Sequence, residues 1–142
     1  MIPKPSMVME ALAQRMVTHQ LPAAGTAYAQ ADAAILAGLL ATLAQDYERS
    51  AASRVADIED IRALLGHVLE TWPGSALNPQ LLTEQPASIH LQDLTPVHDL
   101  ALQSLIDIQA WAEQTENEET TLAAWRVLHA HLDRHKVDIP DP

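Results

Sequence analysis

Seven histidines are the chemistry-bearing residues of this 142-residue chain: His19, His67, His90, His98, His129, His131 and His135. The informative spacing is His131-Leu132-Asp133-Arg134-His135. On a helix, residues i and i+4 stand about 5–6 Å apart on one face, close enough for two imidazoles to share a divalent ion. Two ligands do not complete a site, so a third group must come from elsewhere in the chain. His67, in Leu64-Leu65-Gly66-His67-Val68, and His98 are the candidates, with Zn, Ni or Fe as the ion and water at an open position. The chain has no Cys, which excludes thiolate ligands, thiol nucleophiles and disulfides. It also lacks a phosphate-binding Gly loop, a Gly-x-Ser-x-Gly elbow and a His-Glu-x-x-His pair, and no residue is assigned a catalytic role.

An early histidine in the second bundle helix, His67, followed by His-x-x-x-His late in the last helix, His131 and His135, resembles the layout of DinB-type metal-binding four-helix bundles. The resemblance covers these three histidines and the helix order. It implies a metal-dependent helical-bundle enzyme with the three as ligands. The periodicity carries a competing reading. His67 falls about 180° from the centre of its own apolar stripe, on a face shared with Asp60 and Ala63. His131 and His135 sit with Arg134 and Lys136 at the end of a helix that begins Glu116, Glu118, Glu119. Acids first and bases last complement the helix dipole without any metal. His129 reads as a hydrogen-bonded core or boundary histidine beside Trp125.

Charge points to a different class of function. Nineteen carboxylates against eight Lys plus Arg give a net charge of −11. Such a surface repels nucleic-acid phosphates and anionic membranes but attracts a basic protein. Asp57, Glu59 and Asp60 cluster at one helix start and Glu116, Glu118 and Glu119 at another. Together they form a candidate partner-binding patch of the kind an inhibitor, adaptor or immunity-type protein uses. The favoured reading is therefore a non-catalytic acidic interaction or regulatory module. The metal-dependent enzyme stands as its alternative. A third reading is a small apolar-ligand binder with a pocket between the central helix and a long crossover. The amino-terminal Met-Ile-Pro-Lys-Pro-Ser has no apolar run of the signal-peptide type, so the expected location is cytoplasmic.

The elements that must position these groups read as helices throughout. Ala and Leu dominate and Phe is absent, a mixture that favours helix over sheet. The expected fold is all-α: a single domain with tails at 1–5 and 138–142, built as an up-and-down four-helix bundle. Its helices span about 26–52, 57–72, 96–114 and 116–137, joined by a short amino-terminal helix and a crossover at 73–95. The predicted organising element is Ala33 to Ala44. It carries Ile35, Leu36, Leu39, Leu40 and Leu43 on one arc and Ala and Gly on the other, and is expected to be buried on nearly every side. The alternative is that the Ala-rich face holds a homodimer together. Ser53 to Ala56 are expected to break the helix, with Asp57 capping the next. Thr115-Glu116-Asn117-Glu118 is expected to form a capping box. Leu122, Trp125, Leu128 and Leu132 are expected to form the core face of the last helix.

Overall fold

A computed structural model describes residues 2–138 of the chain, which are helical apart from short connections and contain no strand. Ile139 to Pro142, most of the expected carboxy-terminal tail, lie outside the described residues. The described chain divides into two compact units, residues 2–49 with 136–138 and residues 50–135.

In the first unit, α1 (Pro5–Arg15) begins with Pro5 at its first position, where a missing N–H costs nothing. It continues through a π-helical turn over Met16–Gln20 into α2 (Leu21–Ala23). Ser6 is not the cap its type predicts. It lies inside α1, buried, and its hydroxyl donates to the Glu48 carboxylate. That bond sets α1 antiparallel to the first half of α3 (Ala27–Thr71). Thr26 does cap α3, accepting the Ala29 N–H at 3.1 Å.

The central stretch is not buried on nearly every side, contrary to expectation. Ala33, Ala37 and Ala44 are covered, as a close helix approach requires. The large residues are not: Ile35, Leu36, Leu39 and Leu43 are all exposed, with Leu39 54% open. On the Ala-Gly side, Ala34 and Gly38 are also exposed, and a Cβ built on Gly38 would meet nothing within 4 Å. Small side chains let α1 approach, and the flank bearing the leucines faces away from it.

Ser53 to Ala56, expected to break the helix, lie within it. No break occurs, and α3 runs unbroken for 45 residues. Nothing in Ser-Arg-Val-Ala opposes helix, since the segment has neither Gly nor Pro. Asp57, read as a cap, is a mid-helix residue whose carboxylate is used elsewhere.

In the second unit, residues 50–71 of α3 pack with α5 (Leu91–Gln114) and α6 (Glu118–His135) around one apolar core. Ile61, Leu65 and Val68 of α3, Ala101 and Ile108 of α5 and Ala124 of α6 are fully buried within it. The crossover between α3 and α5 contains α4 (Gln80–Thr83), where Asn78 Oδ1 accepts the Gln80 N–H at 3.0 Å. Leu81 and Leu94 pin this segment to the core, whereas Ile89 and Leu91 are exposed. Arg62 of α3 secures it from outside, donating to the carbonyls of Leu81 at 3.0 Å and Glu84 at 2.7 Å.

α5 starts at Leu91, one turn earlier than the Thr95-Pro96 signal predicts, and carries Pro96 inside it. Two hydroxyls make the early start workable. Ser88 Oγ accepts the His90 N–H at 3.0 Å and donates to Asp93 at 2.6 Å. Thr95 Oγ1 donates to the Leu91 carbonyl at 2.6 Å. At the other end of α5, Thr115 bonds back to the Trp111 carbonyl, and Glu116 takes a left-handed conformation. The cap of α6 is therefore Asn117, whose Oδ1 accepts the Thr120 N–H at 3.0 Å, and not the expected Thr115 box.

α6 presents a different face to the core from the one its large residues mark. Thr120 and Ala124 are buried with Val127 and Leu128 beside them, whereas Leu122, Trp125 and Leu132 are exposed. The buried line continues through His131 and His135, four residues apart.

Candidate metal centre

Four side chains from three helices meet at one end of the second unit's core. Asp57 projects from α3, His98 from α5, and His131 and His135 from the last turns of α6. One oxygen of Asp57, Oδ2, lies 2.9 Å from His98 Nε2, 2.8 Å from His131 Nδ1 and 2.7 Å from His135 Nε2. The four candidate ligand atoms all lie within 4.8 Å of one another. The His131 and His135 rings have centroids 4.5 Å apart, and His98 sits 6.0 Å and 5.9 Å from them.

The other carboxylate oxygen is committed to an arginine. Arg134 Nη1 donates to Asp57 Oδ1 at 2.8 Å, and its Nη2 donates to Asp60 Oδ2. Helical spacing makes this possible from both sides. Asp57 and Asp60 are three apart on α3, and His131, Arg134 and His135 share one face of α6. The Asp57 side chain is 0% exposed. Burial alone would raise its pKa. The hydrogen bonds from His98, His135, Arg134 and His131 outweigh that and hold the carboxyl far below the usual range, so it stays ionised. The two carboxylates also push the Arg134 pKa up.

Three ring nitrogens around one oxygen exceed the two lone pairs that a carboxylate oxygen offers. Each ring would have to donate an N–H to the same atom. With neutral imidazoles, Asp57, Asp60 and Arg134 leave the cluster one negative charge in excess. A divalent cation among the four atoms removes the crowding and more than offsets the negative charge, because nitrogen lone pairs and Oδ2 would then face a positive centre. Ligands about 2.0–2.2 Å from a tetrahedral Zn²⁺ stand roughly 3.4 Å from each other, so a small outward shift of the rings makes room. Three imidazoles and a carboxylate, without sulfur, suit Zn, Fe or Ni rather than the oxygen-seeking Mg or Ca. Arg134 would hold the second oxygen, leaving Oδ2 as a single-atom ligand.

Of the residues singled out from sequence, His131 and His135 come together here, with His98 as their third histidine. His67 does not join them. It is exposed on α3, its ring edge-on to Trp72 with centroids 6.3 Å apart. His129 is exposed beside Trp125 rather than in the core. The proposed acidic patch loses Asp57 to the interior, and Asp60 is paired with Arg134. Glu59, Glu116, Glu118 and Glu119 remain on the surface.

The candidate ligand that the sequence did not single out as one is Asp57, and its signal was present. Asp57 lies on the same stripe as Ile61, Leu65 and Val68, where a lone carboxylate has no reason to be unless something pairs with it.

Asp57 predicts an acid sensitivity. A carboxyl whose native pKa lies below its ordinary value of 3.8 binds protons more readily when unfolded. Its stabilising contribution is complete above the unfolded pKa and is lost as pH falls toward the native one. In chelator-treated protein, the urea midpoint should fall from pH 5 to pH 3 more steeply for wild type than for Asp57→Asn. Equal slopes would contradict the pairing.

Comparison with protein-family models, curated proteins and solved structures finds no match for this chain, so no relative's chemistry bears on the site.

Proposed function

We propose that the chain is a metal-binding helical module in which Asp57, His98, His131 and His135 hold one divalent transition-metal ion, Zn²⁺ foremost. The observation that carries this reading is the convergence of three ring nitrogens on the single buried oxygen Asp57 Oδ2. Four protein donors fill a tetrahedral ion, which is the closed pattern of structural rather than catalytic zinc. The ion would clamp α3, α5 and α6 at one end of their shared core and stabilise the folded state by mass action. This accords with a non-catalytic module more than with a DinB-like enzyme, which needs a coordination position left for water.

The enzyme reading keeps one specific support. His131 and His135 are partly open to solvent, with side chains 19% and 29% exposed. A fifth ligand could reach the ion from that side. Exchange of Zn²⁺ for Co²⁺ separates the two readings. A four-coordinate closed site gives intense tetrahedral d–d bands that added azide leaves unchanged, while an open site shifts them.

The test of the proposal itself is elemental analysis of the full chain after loading with Zn²⁺ and gel filtration. About one equivalent is expected, falling to background in His98→Ala and unchanged in His67→Ala. A metal content unaffected by His98→Ala would overturn the assignment. Arg134→Gln keeps all four ligands but frees Oδ1, and should weaken Zn²⁺ binding about 10–100-fold in a chelator competition. No loss of affinity would show that the guanidinium does not orient the ligand.

A further inference from the structure

The first unit carries a large apolar surface that the Asp57 site does not involve. Tyr28, Ile35, Leu36, Leu39, Leu43 and Tyr47 are each 44% or more exposed, and Tyr28 reaches 85%. At 100° per residue they occupy an arc of about 120°, centred roughly 120° round from the Ala33, Ala37 and Ala44 line that faces α1. On α1, Val8 and Leu12 are also exposed and stand about 130° round, in the same sense, from its buried Ser6 and Ala13. For an antiparallel pair this places both stripes on one side, so they join into a single flank of the hairpin.

We infer that this flank is the interface between two copies of the chain. The area is of the right size. Eight side chains, each about half open, amount to roughly 600–800 Å² of apolar surface, close to the ~800 Å² per partner of a standard stable interface. It exceeds the ~300–600 Å² that the largest patch on a monomer usually reaches. The chemistry disfavours the other occupants. A basic peptide would need carboxylates on the flank, and only Asp32 and Asp46 lie on it. A bilayer is favoured by length, since α3 contains an 18-residue window of mean hydropathy 1.4. It is opposed by the net charge of −11, which anionic headgroups repel. A second copy offers an identical apolar flank to match, as two-fold dimers do. The contact differs from a dimer closed through the Ala-Gly side, because Gly38 and Ala34 lie on the opposite flank.

Sedimentation velocity on the full chain tests this. At about 10 μM, wild type should run mainly at twice the 15.5 kDa chain mass. Leu39→Glu with Leu43→Glu should run as a monomer with an unchanged helical circular dichroism spectrum. The milder pair Tyr28→Ser with Tyr47→Ser should weaken association at least tenfold. Gly38→Gln, on the other flank, should leave the dimer intact. Monomeric wild type at 100 μM would overturn the inference, as would a dimer that survives the glutamates or is lost in Gly38→Gln. Flotation of wild type, but not the glutamate variant, with phosphatidylcholine vesicles would assign the flank to a membrane instead.

Discussion

Asp57→Ala is expected to lower the stability of the metal-free chain by about 3 kcal/mol, the lower end of what removing one partner from a buried ion pair costs. The lower end applies because Arg134 keeps Asp60 as a partner and its side chain is 27% exposed. The cost arises because the fully buried Asp57 carboxylate accepts from Arg134 Nη1 and faces three histidine ring nitrogens. Alanine leaves that guanidinium N–H without its partner and opens a void where the carboxylate stood. In a chain of this size the thermal midpoint should fall by about 10 °C. Asp60→Ala should cost less, since Asp60 is half-buried and binds only Arg134. Thermal unfolding followed at 222 nm, with chelator present, measures both. Equal effects at the two positions would contradict the central role given to Asp57.

Ile61→Ala provides the complementary case. Ile61 is one turn from Asp57 on the same stripe of α3 and fully buried. Truncation to Ala should cost about 2–5 kcal/mol through lost transfer energy and the cavity left behind. It removes no donor atom, so zinc stoichiometry should stay near one while the urea midpoint falls. Asp57→Ala, in contrast, should lose both stability and metal. Loss of zinc in Ile61→Ala, with the fold intact by circular dichroism, would show that the site depends on core packing rather than on its own ligands.

The helical class was legible because the signals for it are local. Ala and Leu content, Thr26 at a helix start and Asn78-Pro79 before α4 act within a few residues, and each appears in the structure, whereas Pro5, expected in a tail, opens α1. What failed depended on which neighbour wins a face. The large residues Trp125 and Leu132 mark one side of α6, yet α6 packs through the small Thr120 and Ala124. Small residues let helix axes approach, and so they decided the buried line. Rotating the reading by about 90° puts His131 and His135 on the core side, where ligands belong. The same lesson holds for Ala33, Ala37 and Ala44. They are covered because they are small, and the leucines beside them are left exposed.

The site was half legible for a related reason. His131 and His135 share one helix, and their i, i+4 spacing is visible in the sequence. His98 and Asp57 come from other helices, so their meeting depends on how α3 and α5 pack. Asp57 was assigned to a cap because Asp followed by Glu59 and Asp60 resembles a helix start. The test already applied to His67, which lies opposite its apolar stripe, gives the reverse answer for Asp57, which lies on one.

The most direct measurement is isothermal titration of chelator-treated full chain with Zn²⁺, wild type beside His98→Ala. One site per chain with sub-micromolar affinity is predicted for wild type, weakened at least 100-fold by His98→Ala. Wild type that takes up no zinc while fully folded would contradict the metal centre and leave Asp57 with its three histidines as a structural hydrogen-bond cluster.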